Sequence, residues 1–331
     1  MNNRIPTLDG WRGIAIALVL FDHIQEARLR ERVPAWMETG PLGVTIFFVL
    51  SGFLITSKLL EGPIDLKRFY IRRFFRLMPA AWIYLATIFV LWRFVGIKIT
   101  SYADLVAGLF FYRNLSGGTG AAVHFWSLSL EEQFYLVWPP ILLLTCLRRS
   151  VWIALAGVCG VAAWRFSHWS AYDRFPFYLR TEVRADAILL GCLLAMLLSN
   201  QRIRAFAIRW SRLWAIPAFA VLVFSIVRSN PLPTLYEGVA IMGLIATTTL
   251  HSGSVLVKPL LFAPLVWLGT VSYSIYIWQQ FFVSFNGTYL PFALCTGLPL
   301  AVLGSYYYIE QPCTRLGHRL TTNRRPGIWA H

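Results

Sequence analysis

Charge is what this 331-residue chain has least of: 14% of its residues are Asp, Glu, Lys or Arg, against 57% hydrophobic, and the mean hydropathy is +0.58. Acid is the scarcer sign, with 15 Asp and Glu against 30 Lys and Arg. So little charge excludes an ordinary soluble domain and a disordered chain alike, and leaves an integral membrane protein. Cysteine is sparse as well. Cys146, Cys159, Cys192, Cys295 and Cys313 lie in or beside apolar stretches without close pairing, which argues against a disulfide framework and against a metal site. The sequence has no linker, low-complexity tract or soluble appendage, so 1–331 reads as one membrane-embedded domain. A cleavable signal is missing too: the first apolar run contains Arg12, lacks a small-residue cleavage site and is followed by many more apolar segments. No basic arm stands apart from these segments, which sets nucleic acid aside despite a net charge of +15.

What is abundant is apolar and aromatic sequence. Trp 14, Tyr 14 and Phe 24 furnish interfacial belts and packing between helices. Apolar segments at 11–24, 43–60, 77–96, 125–147, 150–165, 183–199, 212–228, 233–250, 262–285 and 288–308 predict an all-α bundle of about ten transmembrane helices. The weaker stretch Leu105–Tyr112 reads as re-entrant or interfacial. With the N-terminus inside, 18 of the 30 basic residues fall on the inner side, from Arg4 and Lys58 through Arg73 and Arg76 to Arg324 and Arg325. Eleven fall outside, among them Arg30, Arg32, Lys98, Arg174 and Arg228, and Arg12 stays within the first span. The positive-inside rule and an even number of spans then place both termini in the cytoplasm.

Four stretches carry groups that an anchor does not need. In the first span, Arg12 and His23 are eleven residues apart, which is three turns plus about 20°, so they share one helix face roughly 16 Å apart. Ionisable groups in a span usually face a bundle interior or a wet cavity; the alternative is that Arg12 snorkels while His23 sits in the opposite headgroup layer. The loop Lys67–Arg76 holds Lys67, Arg68, Arg72, Arg73 and Arg76, and Arg73 and Arg76 at i and i+3 suit a phosphate grip, although basic inner loops also attract anionic lipid. In the fourth span, Ser127, Glu131 and Tyr135 form one stripe. Counted from the outer surface, Glu131 lies roughly 10 Å down, and His23 roughly 20 Å up from the inner surface of a core about 30 Å thick, so the two can meet. A carboxylate there orients an imidazole for general-base work, with Glu132 the competing candidate. Elsewhere Arg184 and Asp186 are expected to pair with each other, Pro217 and Pro264 to break or kink helices, and Glu310 to meet the basic loop. His168, His251, His318 and His331 read as interfacial, and the loop Gln25–Pro41, with Glu31, as a solvated lid.

Several of these stretches, in order, resemble the acyltransferase-3 family of membrane O-acyltransferases, which includes O-antigen and exopolysaccharide acetylases. They are Leu8-Asp-Gly-Trp-Arg-Gly13 with His23, Phe47 to Ile55, Arg73-x-x-Arg76, Trp126 to Tyr135, Ser272 to Trp278 and Ile309-Glu-Gln-Pro312. The resemblance implies transfer of an acyl group, often acetyl from cytoplasmic acetyl-CoA, to a hydroxyl of a cell-envelope glycan or other acceptor at the inner (plasma) membrane. It implies His23 as the catalytic residue, as general base or in an acyl-histidine intermediate, and Arg12, Arg73 and Arg76 as its partners, the latter two on the CoA phosphates. Glu131 is the expected orienting carboxylate, and no metal is expected. Two departures stand out. Gln279 occupies the position after Tyr-x-Trp where members commonly carry His, and no fused extracellular hydrolase-like domain follows. The rival from another class is a transporter or flippase, which buried charges along a path also suit.

Overall fold

A computed structural model describes residues 5–29, 38–97, 99–118, 120–168, 170, 177–227, 233–284 and 289–322. The expectations for Arg4, Arg30, Glu31, Arg32, Lys98, Arg174, Arg228, Arg324, Arg325 and His331 lie outside the described residues, as does most of the lid. The described chain is all-helical. Its elements are α1 (Pro6–Leu29), α2 (Gly40–Leu60), α3 (Leu66–Val90, extended by a π-turn at Leu91–Val95), α4 (Tyr102–Leu109), α5 (Arg113–Ser116), α6 (Phe125–Leu144) and α7 (Leu147–Ser167). They continue as α8 (Thr181–Ser199), α9 (Gln201–Val227), α10 (Pro233–Leu250), α11 (Val257–Leu260), α12 (Ala263–Val283), α13 (Tyr289–Phe292), α14 (Leu298–Ser305) and α15 (Gln311–Thr322). Helix satisfies every backbone group within one segment, which is what an apolar surrounding demands.

Each of the ten apolar segments coincides with a helix or run of helices. Among the described residues, four are long and apolar enough to cross a membrane: Gly40–Leu60, Leu66–Val95, Leu147–Ser167 and Leu290–Thr322. The bent pair within α9, Gln201–Ser211 and Leu213–Ser225, makes a fifth if it is one span. The helices that miss this measure include α1, α6, α8 and α12, which carry Asp9 and Arg12, Glu131 and Glu132, Arg184 and Asp186, and Ser272, Ser274 and Gln279. They miss it because the groups that face one another inside the bundle are polar. The bend in α9 is 69° at the break between Ser211 and Leu213, one turn before Pro217. There the proline ring displaces the carbonyl four residues back and forfeits a ladder hydrogen bond. Pro264 instead sits in the first turn of α12, where a missing N–H costs nothing.

Four helices fix the centre. α1 and α12 run parallel, since Asp9 and Gly13 meet Gly269 and Leu265 at one end and His23 and Glu26 meet Gln280 and Ser284 at the other. α2 returns antiparallel, with Gly40 on Asp22 and Gly43 on Ala15 and Val19. α2 and α8 cross through glycines from both sides: a Cβ at Gly52 would overlap the Ile188 carbonyl, and one at Gly191 the Val49 carbonyl. Such contacts let dispersion and packing replace the hydrophobic drive that lipid does not supply. Trp11 Nε1 donates to Thr248 Oγ1 at 3.0 Å and Trp138 Nε1 to Thr56 Oγ1 at 2.8 Å, tying α10 and α6 to the centre. Leu105–Tyr112 forms the short α4, capped by Ser101, and a chain reversal at Phe111, whose φ of 54° is positive.

Candidate active site

Two polar groupings lie along α1 and α6. The first gathers the expected arginines. Arg73 of α3 donates from Nε and Nη2 to one oxygen of Glu132 at 3.2 and 3.1 Å, and its guanidinium lies over the Tyr135 ring. Arg76 of the same helix, on the open side, has Arg12, Arg73, Glu310 and Tyr135 as its electrostatic neighbours. Arg12 pairs with Asp9 at 3.3 Å, and Glu310 accepts from Ser274 Oγ at 2.9 Å. Arg12, Arg73 and Arg76 are thus brought together, and Glu310 joins them as expected of a carboxylate at the end of the last span. Three guanidiniums against the carboxylates of Asp9, Glu132 and Glu310 hold fork-shaped donors ready for an anion.

The α6 stripe spreads over three partners. Tyr135 lies under Arg73, Glu131 accepts from Ser51 Oγ of α2 at 2.8 Å, and Ser127 Oγ meets the Tyr276 hydroxyl at 2.6 Å. The expected pairing of His23 with Glu131 does not form. Gln279 and His124 are among the polar side chains that neighbour His23 instead. The reason is local: α6 opens on a turn whose Ala121 and Ala122 are fully enclosed, so its first residues reach the level of His23. Glu131 comes seven residues, about 10 Å, later. The depth count assumed that α6 begins at the membrane surface.

The second grouping surrounds His23. Its ring, with Glu26, Ala27, Gln280, Val283 and Ser284, lines a cavity of about 170 Å³ between α1 and the end of α12. His124, 2% exposed, is held from two sides: its ring Nε2 donates to the Ile277 carbonyl at 3.0 Å, and its own carbonyl accepts from the Tyr276 hydroxyl at 2.9 Å. The sequence reading passed over His124. An imidazole directly before Phe-Trp-Ser on a span that also carries two carboxylates was the available signal.

A third grouping corrects another expectation. Asp186 pairs with Arg165 of α7 at 2.6 Å, whereas Arg184 donates Nε to the Tyr178 carbonyl at 3.0 Å and stands 5.9 Å over the Trp126 ring. Residues two apart on a helix point about 200° away from each other, so a local pair was not available. Ser225 hydrogen-bonds Glu237 of α10 nearby.

Arg12 of the cation cluster and His23 of the histidine pair share α1. A family model described as an acyltransferase domain matches residues 5–309. The chain belongs to the acyltransferase-3 family. Among its acyltransferase-3 relatives, the peptidoglycan O-acetyltransferase of Listeria monocytogenes is 32% identical over 321 residues, covering 83% of this chain and 49% of the relative. A putative peptidoglycan O-acetyltransferase of Bacillus subtilis is 29% identical over 366 residues, 97% of this chain and 56% of the relative. A putative O-acetyltransferase of Staphylococcus aureus is 28% identical over 366 residues, 97% and 59%. The chain spans about half the length of these curated relatives. No solved structure matches it. This acyltransferase-3 domain is built of apolar helices, four of those described long and apolar enough to cross a membrane.

Proposed function

We propose that the chain is an O-acyltransferase of the inner (plasma) membrane, crossing it ten times with both termini in the cytoplasm, that moves an acetyl group from cytoplasmic acetyl-CoA to a hydroxyl of a cell-envelope glycan. The observation that carries this reading is the layout of α1. Arg12 lies at the arginine cluster with Arg73 and Arg76, and His23 lies three turns further along the same face, lining a cavity. The names of the relatives make a peptidoglycan-like hydroxyl the first acceptor to try.

In this mechanism Arg73 and Arg76 hold the phosphates of CoA, and the thioester arm runs along α1 toward His23. The imidazole takes the proton of the acceptor hydroxyl as its oxygen attacks the thioester carbonyl, and the released thiolate of CoA takes that proton back. The same imidazole serves equally if it first attacks the thioester and carries the acetyl group itself. Arg12 stabilises negative charge as it develops. Glu131, hydrogen-bonded to Ser51, drops out as the imidazole's partner and acts with Glu132 in setting the charge around Arg73. The transporter reading has no observation in its favour.

Detergent-purified protein is tested for CoA release from acetyl-CoA with a peptidoglycan fragment as acceptor. His23→Ala is expected to lose about 100-fold or more of kcat while still binding acetyl-CoA. Full turnover by a folded His23→Ala protein would refute the assignment.

A further inference from the structure

Five buried polar atoms on or beside the cavity have no hydrogen-bond partner: Nδ1 of His23, Nδ1 of His124, both the oxygen and the nitrogen of the Gln279 carboxamide, and the oxygen of the Gln280 carboxamide. Gln279 and Gln280 adjoin His23, and His124 adjoins His23 while its ring is bonded to Ile277, two residues before Gln279 on α12. Gln279 is fully buried and His124 nearly so. Buried donors and acceptors are rarely left unpaired, so a group of five in one place is a feature to explain.

The donor and acceptor identities follow from one fixed point. The Ile277 carbonyl can only accept, so His124 Nε2 bears the hydrogen of the 3.0 Å contact, and in the neutral ring Nδ1 is then a bare lone pair. A lone pair there needs a donor, and if the Gln279 amide N–H supplies it, His23 keeps an acceptor for its own ring N–H. The Gln279 oxygen then remains as an acceptor, and His23 Nδ1 is the atom left to donate to it. Four of the five atoms then form two complementary pairs, and the Gln280 oxygen stays on the cavity wall. Any other tautomer of His124 breaks the bond to Ile277. His23 presents its ring to the cavity while Nδ1 is buried, so a hydrogen on Nδ1 leaves Nε2 with the free electron pair on the cavity side.

We propose that Gln279 and His124 are the positioning residues of His23: in the working state His23 Nδ1–H donates to the Gln279 oxygen and the Gln279 N–H donates to His124 Nδ1. This rests on the assignment of His23 as the reacting imidazole. A neutral carboxamide, backed by a second imidazole and a backbone carbonyl, here does the orienting work for which Glu131 was the sequence candidate. It fixes the tautomer without fixing a charge, so the ring remains a weak, neutral base until substrate arrives. Among the described residues, the titratable and charged groups on the elements around this chain of side chains are Asp22 and Glu26 of α1, Glu38 before α2, Tyr84 of α3, Arg113 of α5 and Tyr276 of α12. No carboxylate among them is hydrogen-bonded to either ring.

The test compares Gln279→Leu, Gln279→Glu and His124→Phe with the parent protein in acetyl-CoA turnover across pH, together with ¹⁵N NMR of histidine-labelled protein in lipid, with His23→Ala identifying the resonance. The parent is expected to show His23 as the Nδ1–H tautomer, and Gln279→Leu to lose that uniformity. Gln279→Leu is expected to lower kcat about 10- to 100-fold with the KM for acetyl-CoA unchanged. Gln279→Glu keeps the acceptor, retains more activity than Gln279→Leu, and moves the acid limb of the rate profile to higher pH because a carboxylate favours the imidazolium. A purely structural role predicts the opposite order, since a buried carboxylate disturbs the bundle more than a leucine does. The proposal is overturned if the parent shows His23 as the Nε2–H tautomer, if Gln279→Leu and His124→Phe leave kcat and the pH profile unaltered, or if Gln279→Glu is the weaker of the two. The tautomer is read without turnover, so an active His23→Ala would sink the catalytic assignment while leaving this result to stand on its own.

Discussion

The pair Arg165–Asp186 makes a demanding prediction about the bundle. The two side chains are 1% and 0% exposed, meet at 2.6 Å, and join α7 to α8, with a second bond from Arg165 Nη1 to the Val183 carbonyl at 2.9 Å. Changing Asp186 to Leu leaves the guanidinium charged, because arginine does not give up its proton in a protein. Breaking a buried pair on one side costs about 3–5 kcal/mol, so a loss of about 3 kcal/mol is expected. Replacing both partners, Arg165→Met with Asp186→Leu, removes the charge along with its partner and recovers most of that loss, to within about 1 kcal/mol of the parent. Equilibrium unfolding in mixed micelles with increasing denaturing detergent reads these differences directly. A single Asp186→Leu that costs less than about 1 kcal/mol, or a double variant less stable than the single, would refute the view that the two charges depend on each other for their burial.

Other sites give sharp contrasts. Gly52→Leu is expected to prevent a monodisperse peak in detergent size-exclusion chromatography because its side chain would occupy the Ile188 carbonyl, whereas Gly160→Leu on α7, with nothing within 4 Å of the added Cβ, is expected to behave as the parent. Arg73→Lys keeps the charge but loses the fork, and is expected to raise the KM for acetyl-CoA about tenfold with little change in kcat, measured by CoA release.

The helices were legible because long apolar runs announce themselves within one segment, Arg12 because charge in such a run is conspicuous, and its grouping with Arg73 and Arg76 through the family resemblance. Arg12 and His23 could be phased from helix geometry alone, since both sit on α1. What stayed hidden needed a second element. The partner of Asp186 comes from α7, so a scan along α8 finds only Arg184, which points the wrong way. The partner of His23 was misjudged because depth was counted from the membrane surface, while α6 starts on an enclosed turn and brings His124 to that level. Gln279 looked like a missing imidazole in the one-dimensional pattern; in three dimensions it stands against His23.

The unbroken course of α1 from Pro6 to Leu29 has a consequence for how such an enzyme can vary. Arg12 and His23 are related by phase as well as by spacing. Inserting one residue between them would lengthen the path by only about 1.5 Å but swing the imidazole about 100° away from the face it shares with the arginine, and four residues would still leave it about 40° off. A donor with a longer or shorter arm therefore cannot be accommodated by trimming this helix a residue at a time. Adaptation to a different donor has to come from the walls around α1, which makes that helix the fixed ruler of the bundle and its neighbours the adjustable parts.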